Sequence, residues 1–218
     1  MTNFNLKTTS ILPASKNKPK QIIILCHGYG GDGKDISILA INWQRFLPDA
    51  IFLCPNAPEI CPVNPQGYQW FDLSSEKEDV ILEKSLLAEE KLSKYLDQVI
   101  QDFQLEFSNL ALVGFSQGCM MSLQVALKKK EKINCVIGYS GKVINKKHLS
   151  NSIISKPKIF LMHGANDEIV SPMYMLEAKE YFGAHGIKIK TKLFNNCEHK
   201  IPVEGTSLGL DFLKKNLL

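Results

Sequence analysis

The chain has 218 residues, of which 44% are hydrophobic, and carries a formal net charge of +4. A chain of this length can bury one substantial core, so we expect a single domain over residues 1–218. Its 26 basic and 22 acidic residues are interspersed and Arg45 is the only arginine, which argues against a nucleic acid partner. The sequence has neither the ~18 apolar residues of a membrane-spanning helix nor the apolar core of a signal peptide, so we expect no stable membrane insertion.

Six cysteines are present, an even number that in a small secreted domain would indicate disulfides. Four of them, Cys26, Cys54, Cys119 and Cys135, lie in or beside segments that we expect to be buried. Nothing in the sequence marks the chain for export. We therefore predict reduced thiols and a cytoplasmic location.

Short apolar runs recur along the chain, and most are continuous rather than alternating. Continuous runs are typical of parallel strands that are covered on both faces. The predicted strands are residues 22–26, 51–54, 110–115, 135–139, 159–163 and 187–194.

Segments with helical spacing separate these runs. The predicted helices are residues 34–46, 76–103 and 117–129, a helix opened by Ser171 and Pro172 that ends near Gly183 or Gly186, and residues 205–216. Strands that alternate with helices predict an α/β fold with a mostly parallel sheet and right-handed crossovers.

The connection between the second predicted strand and the second predicted helix, residues 55–74, contains four prolines and is predicted to be irregular. Loops of this length are commonly functional. After it, Ser75 and Glu78 have the spacing of a capping box, which predicts that the long helix begins there.

Gly114-Phe115-Ser116-Gln117-Gly118 follows an apolar strand and precedes a predicted helix. This is the G-x-S-x-G pattern of a nucleophile elbow, in which a sharp strand-to-helix turn projects the serine hydroxyl above the sheet. The pattern and its context predict a serine hydrolase with Ser116 as nucleophile.

A serine hydroxyl needs a base to take its proton and an acid to orient that base. In α/β-hydrolases these groups follow the serine in the order Asp or Glu, then His, each after a strand. Asp167 fits the acid position, although the neighbouring Glu168 is an alternative. Of the five histidines, His199 fits the order of the base.

Acyl transfer also needs hydrogen-bond donors for the developing oxyanion. The backbone N–H of Gln117, next to the nucleophile, is one expected donor. The loop 27–33, which contains four glycines, is expected to supply the second. Metalloprotease motifs and paired-cysteine zinc spacings are absent from the sequence, so we predict no metal site.

Together these segments resemble the phospholipase/carboxylesterase family, which includes acyl-protein thioesterases and small bacterial carboxylesterases. The resemblance runs from about residue 22 to the C-terminus. Its motifs are His27-Gly28-Tyr29-Gly30, Cys54-Pro55-Asn56-Ala57-Pro58, Gln69-Trp70-Phe71-Asp72, the elbow, and the loops of Asp167 and His199.

The resemblance implies a compact α/β-hydrolase fold without a large cap domain and hydrolysis of esters or thioesters without a cofactor. It also implies a Ser116, Asp167 and His199 triad, with the N–H groups of Tyr29 and Gln117 forming the oxyanion hole. Trp70 and Phe71 could line the acyl groove or could instead pin their loop to the body. Some members of the family dimerise, which leaves a homodimer open.

The sequence therefore predicts a serine esterase or thioesterase that acts on short to medium acyl chains. Its substrate would be a small-molecule ester or thioester, or an acylated lipid or protein. Two alternatives stay open, a lysophospholipase and a catalytically inactive α/β-hydrolase that serves as a binding module.

Overall fold

Nine strands are found in the computed structural model, which describes residues 4–75 and 77–218. The strands are β1 (Thr8–Ile11), β2 (Gln21–Cys26), β3 (Ala50–Pro55), β4 (Glu59–Cys61), β5 (Asn64–Gln69), β6 (Leu110–Phe115), β7 (Cys135–Tyr139), β8 (Lys158–Gly164) and β9 (Ile189–Phe194).

Seven of these strands form the central sheet, in the order β1-β3-β2-β6-β7-β8-β9. Every neighbouring pair is parallel except the edge pair of β1 and β3. All six predicted strands lie in this sheet. The prediction of an α/β fold with a mostly parallel sheet is confirmed.

Six α-helices accompany the strands in the described residues. They are α1 (Gly33–Trp43), α2 (Glu78–Phe103), α3 (Gln117–Lys128), α4 (Lys146–Ser150), α5 (Met173–Ala184) and α6 (Val203–Leu217). No cap domain interrupts the described chain, because the connection between β7 and β8 contains only the five-residue helix α4.

Buried side chains divide into two layers, one on each face of the sheet. Along β2, Ile22 and Ile24 face the layer that contains α2, α3 and α5, whereas Ile23 and Leu25 face the layer that contains α1 and α6. The alternation follows from the two-residue repeat of a strand. Because both faces are covered, β2 is fully buried, which explains its continuous apolar run.

The structure corrects the prediction of an irregular connection over residues 55–74, because it contains the antiparallel hairpin of β4 and β5. The segment 64–69, with a proline, a glycine and polar residues, lacks the apolar alternation that would indicate a strand. β5 hydrogen-bonds to the predicted oxyanion loop instead of the main sheet. The Gly30 N–H donates to the Tyr68 carbonyl at 2.9 Å, and the Tyr68 N–H donates to the Gly31 carbonyl at 2.8 Å.

Helix starts also differ from the predictions. The capping-box prediction was wrong, because α2 begins at Glu78 after Lys77, and Ser75 accepts a hydrogen bond from the Lys77 N–H in the preceding turn. Residue 76, the predicted first helical residue, lies outside the described residues. The helix α5 begins at Met173, one residue after the predicted Pro172, and α6 begins at Val203 rather than at residue 205.

Candidate active site

Ser116 lies at the turn between β6 and α3, as the elbow pattern predicts. Its backbone adopts φ 52° and ψ −118°, a conformation that is strained for a residue with a side chain. The flanking glycines make the turn fit: a Cβ on Gly114 would overlap the backbone of Gly118, and a Cβ on Gly118 would overlap the carbonyl of Cys26. These close approaches allow α3 to pack directly on β2 and β6.

The structure brings Ser116, His199 and Asp167 together in one chain of hydrogen bonds. The His199 Nε2 lies 3.1 Å from the Ser116 Oγ, and its Nδ1 lies 2.8 Å from the Asp167 Oδ2. A carboxylate accepts, so Nδ1 carries the proton and Nε2 is left to accept from the serine hydroxyl. This arrangement can move a proton away from Ser116.

Contacts between two loops explain why the aspartate and the histidine meet. Asp167 follows β8 and His199 follows the adjacent strand β9. The Ala165 N–H donates to the Phe194 carbonyl at 2.8 Å, and the Asn166 N–H donates to the Cys197 carbonyl at 2.9 Å. Gly164 allows this approach, because a Cβ there would overlap the Cys197 carbonyl.

Asp167 is buried and held by backbone donors, whereas the alternative acid Glu168 is exposed. The Asp167 Oδ1 accepts from the N–H groups of Ile169 at 3.0 Å and Val170 at 2.8 Å. Burial opposes ionisation of this carboxyl, but its hydrogen bonds from Val170, His199 and Ile169 outweigh that effect and lower its pKa. Asp167 is therefore ionised at neutral pH.

A second histidine, which the sequence analysis did not place in the site, also contacts Asp167. The His163 Nε2 lies 2.8 Å from the Val170 carbonyl and 3.1 Å from the Asp167 Oδ2. Because a carbonyl only accepts, Nε2 must carry the proton and can be shared with the carboxylate. Desolvation by burial lowers the pKa of His163, which favours this neutral form. The sequence signal that could have indicated this contact is the four-residue spacing of His163 and Asp167 at the end of a predicted strand.

Near the predicted oxyanion loop, His27 connects two segments. Its Nδ1 donates to the Gly28 carbonyl at 2.7 Å, and its Nε2 accepts from the Ala57 N–H at 2.9 Å. Because Nε2 accepts a hydrogen bond, the ring must be neutral, and burial lowers the pKa of His27 accordingly. Gly28 in turn passes close to the nucleophile, because a Cβ built on it would lie 3.2 Å from the Ser116 Cβ.

The structure corrects the acyl-groove interpretation of Trp70 and Phe71, since both side chains are fully buried. The Trp70 Nε1 donates to the His27 carbonyl at 2.9 Å. The Gln117 side chain accepts from the Trp70 N–H at 3.1 Å and donates to the Phe71 carbonyl at 2.8 Å. These contacts pin the 70–71 segment to the elbow and the oxyanion loop.

The backbone N–H groups of Tyr29 and Gln117 are candidates for the oxyanion hole. Within residues 4–75 and 77–218, neither N–H donates to a backbone or side-chain acceptor. Gln117 is the first residue of α3, where a helix presents unpaired N–H groups and a partial positive charge.

Two depressions lie on either side of the Ser116 and His199 pair, and Tyr29, Phe115 and His199 line both. The first, of about 580 Å³, includes Ser116 and has a mostly apolar wall of Leu73, Ile81, Met120, Ile169, Val170 and Tyr174. The second, of about 540 Å³, lies against α1 and the start of α6 and is lined by Ile36, Ile38, Leu39, Ile201 and Val203. An elongated apolar substrate could extend from the serine into either one.

Within residues 4–75 and 77–218, no group of three or more His, Cys, Asp or Glu residues is placed to hold a metal ion. None of the described helices is long and apolar enough to cross a membrane.

Fold and site together define the class of protein, an α/β-hydrolase. The family model described as Phospholipase/Carboxylesterase matches residues 8–217. The acyl-protein thioesterase 1 of Emericella nidulans is 30% identical over 73% of this chain and 74% of its own length. Esterase YpfH of Escherichia coli is 22% identical over 96% of this chain and 89% of its own length.

Among solved structures, the crystal structure of esterase PE8 superposes with a TM-score of 0.93. It is 32% identical and covers 97% of this chain and 99% of its own. The chain described here belongs to the phospholipase/carboxylesterase family. The predicted family resemblance and α/β-hydrolase fold are confirmed.

Proposed function

We propose that the protein is a serine hydrolase that cleaves carboxylic esters or thioesters through an acyl-enzyme on Ser116. The observation that carries this proposal is the continuous hydrogen-bonded chain from Ser116 through His199 to Asp167. Membership of a family whose relatives are named esterase and acyl-protein thioesterase supports the reaction class.

In the first half-reaction, the Ser116 Oγ attacks the acyl carbon while the His199 Nε2 takes the hydroxyl proton. His199 then gives that proton to the departing alcohol or thiol, which leaves the acyl group on Ser116. In the second half-reaction, His199 takes a proton from water as the water oxygen attacks the acyl carbon. His199 then returns that proton to the Ser116 Oγ as the bond between the acyl carbon and Oγ breaks and the carboxylic acid is released. Asp167 keeps the imidazole in the required tautomer and stabilises its cationic form.

The backbone N–H groups of Tyr29 and Gln117 would donate to the oxyanion of each tetrahedral intermediate. Two features support this role. Neither N–H has an acceptor in the described chain, and Gln117 lies at the positive end of α3. The network of His27, Trp70 and the Gln117 side chain would hold the two donors at a fixed separation.

Short to medium acyl chains are the proposed substrate range, and the mostly apolar depression of about 580 Å³ beside Ser116 is the proposed site for the acyl chain. The proposal includes small-molecule esters and thioesters as well as acylated lipids or proteins. A cytoplasmic location is proposed because all six cysteines are buried free thiols. A single catalytic domain is also proposed, since the central sheet takes strands from Thr8 to Phe194.

The experiment is hydrolysis of 4-nitrophenyl butyrate by the wild-type protein and by Ser116→Ala. We expect Ser116→Ala to lower kcat by about 10³-fold or more, because nucleophilic catalysis is lost while binding remains. The exposed Ser207 in α6 provides a matched control, and Ser207→Ala is expected to retain wild-type activity. Activity that survives in a folded Ser116→Ala protein would contradict the proposal.

A further inference from the structure

One cation lies in the wall of the depression beside Ser116. Among the described residues that line it, Lys142 is the single side chain with a fixed formal charge. Its Nζ lies 4.9 Å from the centre of the Tyr174 ring, which also lines the depression. The ring face attracts the ammonium group, so the charge is held beside the apolar wall.

The backbone at the end of β7 fixes the position of Lys142 relative to Ser116. β7 ends at Tyr139, which pairs with Phe115 at the end of β6, directly before Ser116, and Lys142 follows three residues later. The intervening Gly141 packs against the elbow, because a Cβ there would lie 3.1 Å from the Ser116 carbonyl oxygen. Lys142 therefore lines the same depression as Ser116, at a position set by the end of β7 and by the packing of Gly141 on the elbow.

Lys142 has no carboxylate within 4.0 Å among residues 4–75 and 77–218, although it is half-buried. Two other half-buried lysines do have a carboxylate partner: Lys128 pairs with Glu89, and Lys146, four residues further along, pairs with Glu177. Partial burial of an unpaired cation beside apolar side chains costs free energy. A negatively charged ligand would offset that cost by supplying the missing partner.

We propose that Lys142 binds an anionic oxygen group, a carboxylate or a phosphate, of the ester or thioester substrate. This inference rests on the proposed function and narrows its substrate class to acyl compounds that carry a negative charge near the scissile bond. Lys142 thereby acts as a specificity-determining residue. The apolar wall binds the hydrocarbon part of the same substrate.

The charge could belong to the acyl part or to the leaving group, and two pairs of substrates distinguish these sources. Mono-4-nitrophenyl adipate carries a carboxylate at the end of its acyl chain, and 4-nitrophenyl hexanoate is its neutral partner. The butyrate ester of 4-hydroxybenzoate carries a carboxylate on the leaving group, and phenyl butyrate is its neutral partner. For each pair, the ratio of kcat/KM for the anionic to the neutral ester is the measure of preference.

The variants are Lys142→Met, which removes the charge at similar length, and Lys142→Arg, which keeps it. We expect Lys142→Met to lower the preference ratio of one pair about tenfold, the usual worth of a hydrogen bond to a charged group. Most of the change is expected in KM, and the rate on the neutral ester should stay within about twofold. Lys142→Arg should retain most of the preference. The exposed Lys147 of α4 supplies the matched control, Lys147→Met, which should leave the ratio unchanged.

Two results would overturn the inference while leaving the proposed function intact. One is an unchanged ratio for both pairs in Lys142→Met. The other is an equal loss on anionic and neutral esters, which would mean that Lys142 stabilises the oxyanion or the fold. Absence of any ester hydrolysis by the wild-type protein would count against the proposed function instead. In that case, the inference is tested by calorimetric titration of adipate into wild type and into Lys142→Met. We expect weaker binding to Lys142→Met, and equal affinities would overturn the inference.

Discussion

Asp167 is the residue on which the hydrogen bonds of the site converge. Its Oδ1 accepts from two backbone N–H groups, and its Oδ2 is within reach of both His199 and His163. A carboxylate with this many donors is fixed in orientation and kept ionised. It can therefore hold His199 in the tautomer whose unprotonated Nε2 faces the Ser116 hydroxyl.

Buried neutral histidines should make the fold sensitive to acid. Burial lowers the pKa of His163 in the folded state, so between its folded pKa and the unfolded value of about 6.5 the unfolded chain binds more protons. The contribution of His163 to stability is therefore full above about pH 6.5 and is lost as the pH falls towards the folded pKa. We expect the free energy of unfolding, measured in urea at pH 7.5, 6.5 and 5.5, to fall over this range.

The control for that prediction is His163→Gln, whose amide can still donate to the Val170 carbonyl but cannot titrate. His27 titrates in both proteins, so the free energy of unfolding should still fall with acid in the variant. Its slope against pH should be smaller than that of wild type by up to about 1.4 kcal/mol per pH unit. Equal slopes in the two proteins would contradict the assignment of a neutral His163.

The sequence was sufficient to predict Ser116, Asp167 and His199 as neighbours, because their order and their positions after strands are set by the fold class. The structure brings them together, and their catalytic roles are the proposal tested below. The contact between His163 and Asp167 could not be predicted from the sequence, because it depends on the path of the short loop after β8, which turns back towards the strand. Trp70 and Phe71 were ambiguous for a similar reason: aromatic side chains suit a groove and a core equally well.

At the scale of elements, the strand-turn-helix unit of β6 and α3 is expected to tolerate substitutions least. Gly118 is the first-turn position of α3 that faces β2, and there is no space for a side chain between them. The first turn of α3 can lie this close to the sheet because Gly114 and Gly118, two residues before and two residues after Ser116, have no Cβ.

Gly118→Ala is expected to destabilise the protein by about 3 kcal/mol or more, since its methyl group would overlap the Cys26 carbonyl and shift α3 or β2. Gly183→Ala is the matched change in α5, where a Cβ would meet nothing within 4 Å. That variant should gain about 0.5–1 kcal/mol from the higher helix propensity of alanine. Urea unfolding monitored by circular dichroism measures both, and similar stabilities would refute the packing argument.

The parallel strands were predictable as elements because their apolar runs are continuous and are bounded by glycine or polar residues. The β4 and β5 hairpin was not, because β4 has only three residues, and β5 is mostly polar and hydrogen-bonds to the Gly30 to Gly31 segment rather than to the main sheet. The short helix α4 and the edge strand β1 also lack a strong periodic signal, since most of their residues are not fully buried.

At the scale of the whole molecule, the sheet places four connections at the same edge, the carboxyl ends of its parallel strands. Residues from the loop after β2, the turn after β6 and the loops after β8 and β9 meet there, as expected for a site in an open α/β sheet. Layers of helices cover both faces, so the residues free to contact a ligand are concentrated at this edge.

The most direct test of the central claim is covalent labelling with a fluorophosphonate, followed by mass spectrometry of the digested protein. The account predicts one label per chain on Ser116, no label in Ser116→Ala, and much slower labelling in His199→Ala, because the hydroxyl then lacks its base. Folded wild-type protein that fails to label, or that labels at another residue, would contradict it and would favour an inactive binding module.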